Sequence, residues 1–238
     1  MGVTVLDERI VKIAIAEWWA WGGQYRDGES KSLPIKKLSS GTGTAGDEDR
    51  LGFKQRVFTY FKMGVYPHTN DWKNYRKEPW SAAFISYIFR LGGAGNTFPY
   101  SVGHHTYVSR AVRNNVNNQT RNTLVAYSSK DEAPEVGDLL WRGRKPETKT
   151  KNSLDTSKWG LDDIIKHLKA GKGSFPSHCD LVVQVDYDNG VLYSIGGNVS
   201  DRVLRLKSEI EEGGMLQNSQ YTVVIKNNIS EYTSNAFT

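Results

Sequence analysis

Ser81, His178, Asp180 and Asn198 are the side chains of this 238-residue chain whose types and spacing best suit nucleophilic chemistry. A serine hydroxyl attacks a carbonyl only when a neighbouring base removes its proton. Imidazole is the natural base near neutral pH, and a third polar group commonly orients it. Ser81 lies in the run EPWSAAFISYIFRLGG. Pro79 suits a first helical turn, Ala82 to Leu91 are apolar on nearly every side, and Gly92-Gly93 close the run. That pattern predicts a buried central helix with Ser81 in its first turn, where free amides and the helix dipole would favour an oxyanion. The plainer expectation is a serine that only caps or packs.

His178 opens the strand-like run HCDLVVQV. Period-two alternation puts His178, Asp180 and Val182 on one face and Cys179 and Leu181 on the other. Cys179, the only cysteine, therefore points away from His178 and reads as a small buried hydrophobe. Asn198 follows Gly196-Gly197 at the end of the next strand. An Asn189-Gly190 turn would bring it beside His178 as the orienting amide, and Asp180 is the rival orienter. Glu78, Trp80, His104 and Tyr107 are the expected substrate contacts, with His104 and His105 on a loop before a second helix. His104, His178 and a carboxylate could bind zinc, but there is no HExxH and no ligand spacing, so neither metal nor cofactor is expected.

The elements that must position these groups read as α+β. Residues 5–21 carry apolar positions at helical spacing, stopped by Gly22-Gly23. Tyr25 to Asp49 reads as a polar loop and Asp49 to Met63 as a short helix. After Pro134 come a short strand in EVGDLLWR, a lysine-rich insertion over 143–176 holding a helix in GLDDIIKHLKAG, and strand-like runs over 178–185, 191–196 and 221–225. Helices first and an antiparallel sheet after them argue α+β in a single domain: a helical part over about 1–75, a core over about 76–228 and a tail over 229–238.

Composition narrows the function classes. An aromatic-rich chain with 38% hydrophobic residues is not a disordered one. No run approaches the roughly 20 apolar residues of a membrane span, and the charged N-terminus is no Sec leader. The net charge of +5 is scattered rather than gathered into Lys/Arg runs with interleaved aromatics, which argues against nucleic acid. It suits either a solubilising surface or attraction to an anionic wall.

Four segments together carry a resemblance. EPWSAAFISYIFRLGG resembles the helix of NlpC/P60 and CHAP amidases that reads Trp-Cys-Ala-Ala-Phe-Val, with Ser81 in place of the cysteine. PEVGDLLWRGR resembles their Pro-x-x-Gly-Asp-Leu strand, SHCDLVVQV their histidine strand, and IGGNVSDRV their Gly-Gly-Asn run. With FPYSVGHHTYV, the serine-bearing form resembles the DUF2272 family of bacterial domains. The resemblance implies a papain-like fold in which a central helix packs on an antiparallel sheet. It also implies a serine-type hydrolase of peptidoglycan amide bonds, with Ser81 as nucleophile, His178 as base and Asn198 as orienter. An antibacterial effector is one form such an enzyme takes, made in the cytoplasm and acting in the periplasm or cell wall, with an immunity protein or a secretion apparatus as partner. Serine in place of cysteine changes the chemistry. An alcohol cannot be held ionised near neutral pH as a thiol can, so proton transfer must be concerted with attack. The competing expectations are a serine esterase or acyltransferase acting on lipid, and a non-catalytic wall-binding domain in which Ser81 and His178 are far apart or separated by another side chain.

Overall fold

The computed structural model describes residues 3–38, 51–66, 79–146 and 153–230. Its element order is α1 (Val5–Ala20), β1 (Gln24–Arg26), β2 (Lys36–Lys37), α2 (Leu51–Thr59), α3 (Ser81–Gly92), α4 (His104–Val116), β3 (Leu124–Ser128), β4 (Leu139–Gly143), α5 (Leu161–Lys169), β5 (Ser177–Asp186), β6 (Val191–Gly196), β7 (Leu204–Ile210), β8 (Leu216–Gln217) and β9 (Val223–Asn227). The chain is α+β, with several helices on one large sheet. A π-helical turn, Tyr60–Val65, extends α2.

α1 forms where the 3.6-residue spacing predicts, and its start is fixed chemically. The Thr4 hydroxyl accepts from the Asp7 amide at 3.1 Å, while the Asp7 carboxylate accepts from the Thr4 amide at 2.9 Å. This reciprocal pair satisfies amides that the first turn cannot. α3 is the buried helix expected, with nine of its twelve residues buried. Trp80 is its N-cap and supplies no capping side chain.

The sheet runs β2-β1-β7-β6-β5-β4-β9-β3, with β8 on β7. All pairs are antiparallel except β1 with β7, so the sheet is mixed rather than purely antiparallel. Strand β1 falls inside the stretch expected to be loop. At three residues it is too short to show alternation, and it is fixed by pairing to β7. The β5–β6 hairpin forms as read, and Gly190 takes the left-handed conformation (φ 62°) its turn requires.

One face of the sheet packs on α1, α3 and α4 through a single large apolar cluster, to which β5 contributes Cys179, Leu181 and Val183. The other face holds a smaller cluster that includes Leu140, Val182, Leu192 and Tyr221. That second face is buried because the sheet curls. On a flat sheet β1 and β9 would lie about 24 Å apart at about 4.8 Å per strand. Instead, Glu29 just beyond β1 accepts hydrogen bonds from Ser219 Oγ at 2.7 Å and the Gln220 amide at 2.6 Å, just before β9. Among the described residues no helix is long and apolar enough to cross a membrane.

Candidate active site

Ser81 stands first in α3, and its hydroxyl lies 2.7 Å from His104 Nε2. His104 is the first residue of α4, not part of the loop before it, with Gly103 as N-cap. Its other ring nitrogen, Nδ1, meets the Tyr107 hydroxyl one helical turn on, and that hydroxyl also contacts the Cys179 thiol. The histidine paired with the serine is therefore His104. His178 stands behind it, its ring edge-on to His104 with centroids 5.2 Å apart.

The alternation along β5 explains this arrangement. Since Cys179, Leu181 and Val183 face the helices, His178 and Asp180 must face the opposite side of the sheet. Only the imidazole's position at the mouth of β5 lets it approach the helical layer. Both its ring nitrogens are occupied. Asp180 Oδ1 lies 2.8 Å from Nε2, and Arg144 Nη2 lies 2.6 Å from Nδ1. A guanidinium only donates, so Nδ1 accepts and Nε2 carries the hydrogen. Neither nitrogen remains for Ser81, and neither meets Asn198.

Asp180 is thus the carboxylate on His178, and the same-face spacing of two residues along a strand is enough to make the bond. Its second oxygen accepts from Tyr221, and Arg142 Nη2 lies 3.9 Å away. Gly196 leaves room for it: a Cβ there would come within 1.5 Å of Asp180 Oδ1. The next glycine, Gly197, lies against Phe84 of α3, where a Cβ would come within 2.6 Å of the phenylalanine Cβ. Asn198 follows in the left-handed conformation (φ 57°) and is half-buried.

The other expected substrate contacts are distributed differently. Trp80 is 2% exposed, stacked on Trp21 at 5.2 Å and packed edge-on to Phe84, so it offers no free ring face. Tyr107 is buried and acts on His104. Glu78 lies outside the described residues. Arg144, Arg142 and Tyr221 were not singled out from the sequence. Arg142 stands opposite His178 in the β4–β5 register, a pairing between distant segments that the sequence does not display.

Burial dominates the electrostatics. It lowers the His178 pKa to about 4, against the pull of Asp180 and with the help of Arg144. It lowers His104 well below the ordinary imidazole value, and His178 and then Arg144 add to the effect. Both rings are neutral at pH 7. Asp180 is held down at about 2 because His178, Arg142 and Tyr221 together outweigh its desolvation. Burial, then Asp180, pushes the Cys179 thiol well up, so it is no thiolate. Among the described residues the amides of Ser81, Ala82 and Ala83 meet no acceptor, which leaves them as donors at the head of α3 beside the hydroxyl. Ser81 is 2% and His104 4% exposed, so the group is closed to solvent as it stands. Among the described residues, no cluster of three or more His, Cys, Asp or Glu side chains could hold a metal ion.

Residues 13–230 match the family described as "Uncharacterized protein conserved in bacteria (DUF2272)", and the chain belongs to that family. No curated protein and no solved structure matches the chain.

Proposed function

We propose that this DUF2272 member is a serine-type hydrolase of amide bonds in which Ser81 is the nucleophile and His104, rather than His178, is its base. The observation that carries the reading is the 2.7 Å pair between Ser81 Oγ and His104 Nε2 at a helix end with unused amides. In the first step Ser81 Oγ attacks the carbonyl carbon while its proton passes to His104 Nε2. The oxyanion lies against the α3 amides. His104 then gives the proton to the leaving amine, an acyl-serine remains, and water releases the acid by the reverse transfers.

Tyr107 occupies the place at Nδ1 that a carboxylate fills in a Ser-His-Asp triad, and Asp180 acts one ring further back through His178. With a tyrosine rather than a carboxylate on Nδ1, His104 is a weak base, and a slow enzyme follows. Because Ser81 and His104 are buried, substrate entry requires the head of α3 to become accessible. The resemblance to NlpC/P60 and CHAP amidases supports a papain-like ancestry and peptidoglycan stem peptides as the substrate class, with the net charge of +5 suiting an anionic wall. An effector role, with an immunity protein or secretion machinery as partner, rests on that resemblance alone.

One arrangement favours a second reading, a non-catalytic wall-binding domain: His104 fills the space between Ser81 and His178, and both Ser81 and His104 are buried. Incubation of purified sacculi with wild type and Ser81→Ala separates the two. Mass spectrometry should find newly freed amines only with wild type. Equal, negligible release by both proteins while both still sediment with sacculi would replace the hydrolase with the binding domain.

A further inference from the structure

Beyond Asp180, on the curled side of the sheet, lies a group of arginines with unused donors. Arg26 of β1 is 4% exposed, and its Nε and Nη1 are buried without a hydrogen-bond partner. Its remaining nitrogen, Nη2, donates to Ser200 Oγ at 2.8 Å. Arg202 donates from Nη1 to the Ser200 carbonyl at 3.1 Å, and its Nε is also buried without a partner. Two guanidiniums thus converge on one serine with three nitrogens between them unsatisfied.

Arg142 is close enough to disfavour the charge on Arg26, and burial, then Arg142, then Arg202 lower the Arg26 pKa. The nearby carboxylates do not answer this charge. Asp180 is engaged by His178 and Tyr221, and Glu29 by Ser208, Ser219 and the Gln220 amide. Buried donors without acceptors are rare, and like charges crowd together only where something else compensates. A planar guanidinium pair matches a carboxylate's two oxygens.

The cluster is also continuous with the site. Arg142 faces Asp180, and the 197–202 loop runs from Gly197, on Phe84 of α3, to Ser200. We infer that Arg26 and Arg202, backed by Arg142, form an oxyanion subsite that takes a carboxylate of the substrate. This deepens the proposed function, on which the identity of the ligand as substrate rests: the enzyme would prefer peptides that carry a free carboxylate.

The binding test does not depend on turnover. In nitrogen-15 spectra of the full chain titrated with acetate, the Nε–H signals of Arg26 and Arg202 should shift and saturate. In Arg26→Gln the Arg202 shift should no longer saturate, and in Arg26→Lys it should be partly restored. If Arg26→Gln fails to fold, Arg202→Gln, at a half-exposed position, carries the same test through the Arg26 signal. Shifts that rise linearly with acetate, or saturation unchanged by either substitution, overturn the subsite.

A kinetic arm then compares N-acetylated peptides ending in a carboxylate or a carboxamide. Wild type should favour the acid at least tenfold in kcat/KM, and Arg26→Gln should abolish that preference. Equal hydrolysis of acid and amide by wild type removes the subsite but leaves the hydrolase. Saturable acetate binding with no peptide cleaved does the opposite.

Discussion

Two buried charged networks share this sheet, and they differ in whether every donor has an acceptor. One surrounds Lys226 of β9. Its ammonium lies 2.6 Å from Glu135 and 2.7 Å from Asp138. Asp138 accepts further bonds from the Glu135 and Asn227 amides, and the Asn227 side chain donates to Asp7 at 2.8 Å, tying β9 and β4 to the start of α1. The other runs from Ser81 through His104, His178, Asp180 and Arg142 to Arg26. It holds two neutral imidazoles side by side, free helix amides and guanidinium nitrogens without acceptors. A saturated network fixes the chain and has nothing left to offer a ligand. An unsaturated one keeps its capacity for something outside the protein, at a cost in stability. On this contrast the Lys226 network is structural and the Ser81–Arg26 network is functional.

The largest expected effects lie in the second network. Ser81→Ala and His104→Ala should each lower kcat/KM by about 10⁴, as loss of a nucleophile or its base does in serine hydrolases, with melting temperature nearly unchanged in Ser81→Ala. Activity assays beside calorimetry test this, and the comparison breaks if either protein keeps wild-type turnover. In the Lys226 network the effects should be reversed. Lys226→Met leaves Asp138 buried without its cation and should cost about 3–5 kcal/mol in urea unfolding, while turnover per folded molecule holds. A cost under about 1 kcal/mol would mean that the network fixes nothing.

The distance between the two networks in sequence shows what the residues alone could and could not reveal. The α3 helix, the β5–β6 hairpin and the pairing of Asp180 with His178 on one face were legible because apolar spacing and period-two alternation are local properties. Strand β7 carried a readable signal, Leu204, Leu206 and Ile210 alternating with Arg205, Lys207 and Glu209, which only Ser208 at a buried position interrupts. The choice between His104 and His178 was not legible. It depends on which face of β5 meets the helices, and alternation fixes the two faces without saying which is which. The Arg26 cluster was hidden more deeply, since β1 and β4 meet only through the curl of the whole sheet.

The next prediction ranks the two histidines. Because His178 touches the chemistry only through His104, His178→Gln should lower kcat/KM by about 10–100-fold, the range typical of a positioning group, without removing activity. A loss equal to that of Ser81→Ala would return the role of base to His178 and require the ring to turn from Arg144 toward the serine.

The smallest effect concerns Arg144, which approaches His178 at 2.6 Å and lowers the pKa of both rings. A base must be neutral to accept the serine proton, so activity is lost as pH falls through the pKa of His104. Burial, His178 and Arg144 all place that value below the ordinary imidazole pKa of about 6.5, and the profile of kcat/KM should stay flat through that pH before falling. Arg144→Gln removes a positive charge, makes protonation easier and should move the acid limb upward. Kinetics between pH 4 and 8 on both proteins read the shift directly. An acid limb that moves downward, or one centred above the ordinary imidazole value in wild type, is incompatible with a buried neutral His104 as base. It would mean that the serine's partner in turnover is a group exposed to water only after the site has opened.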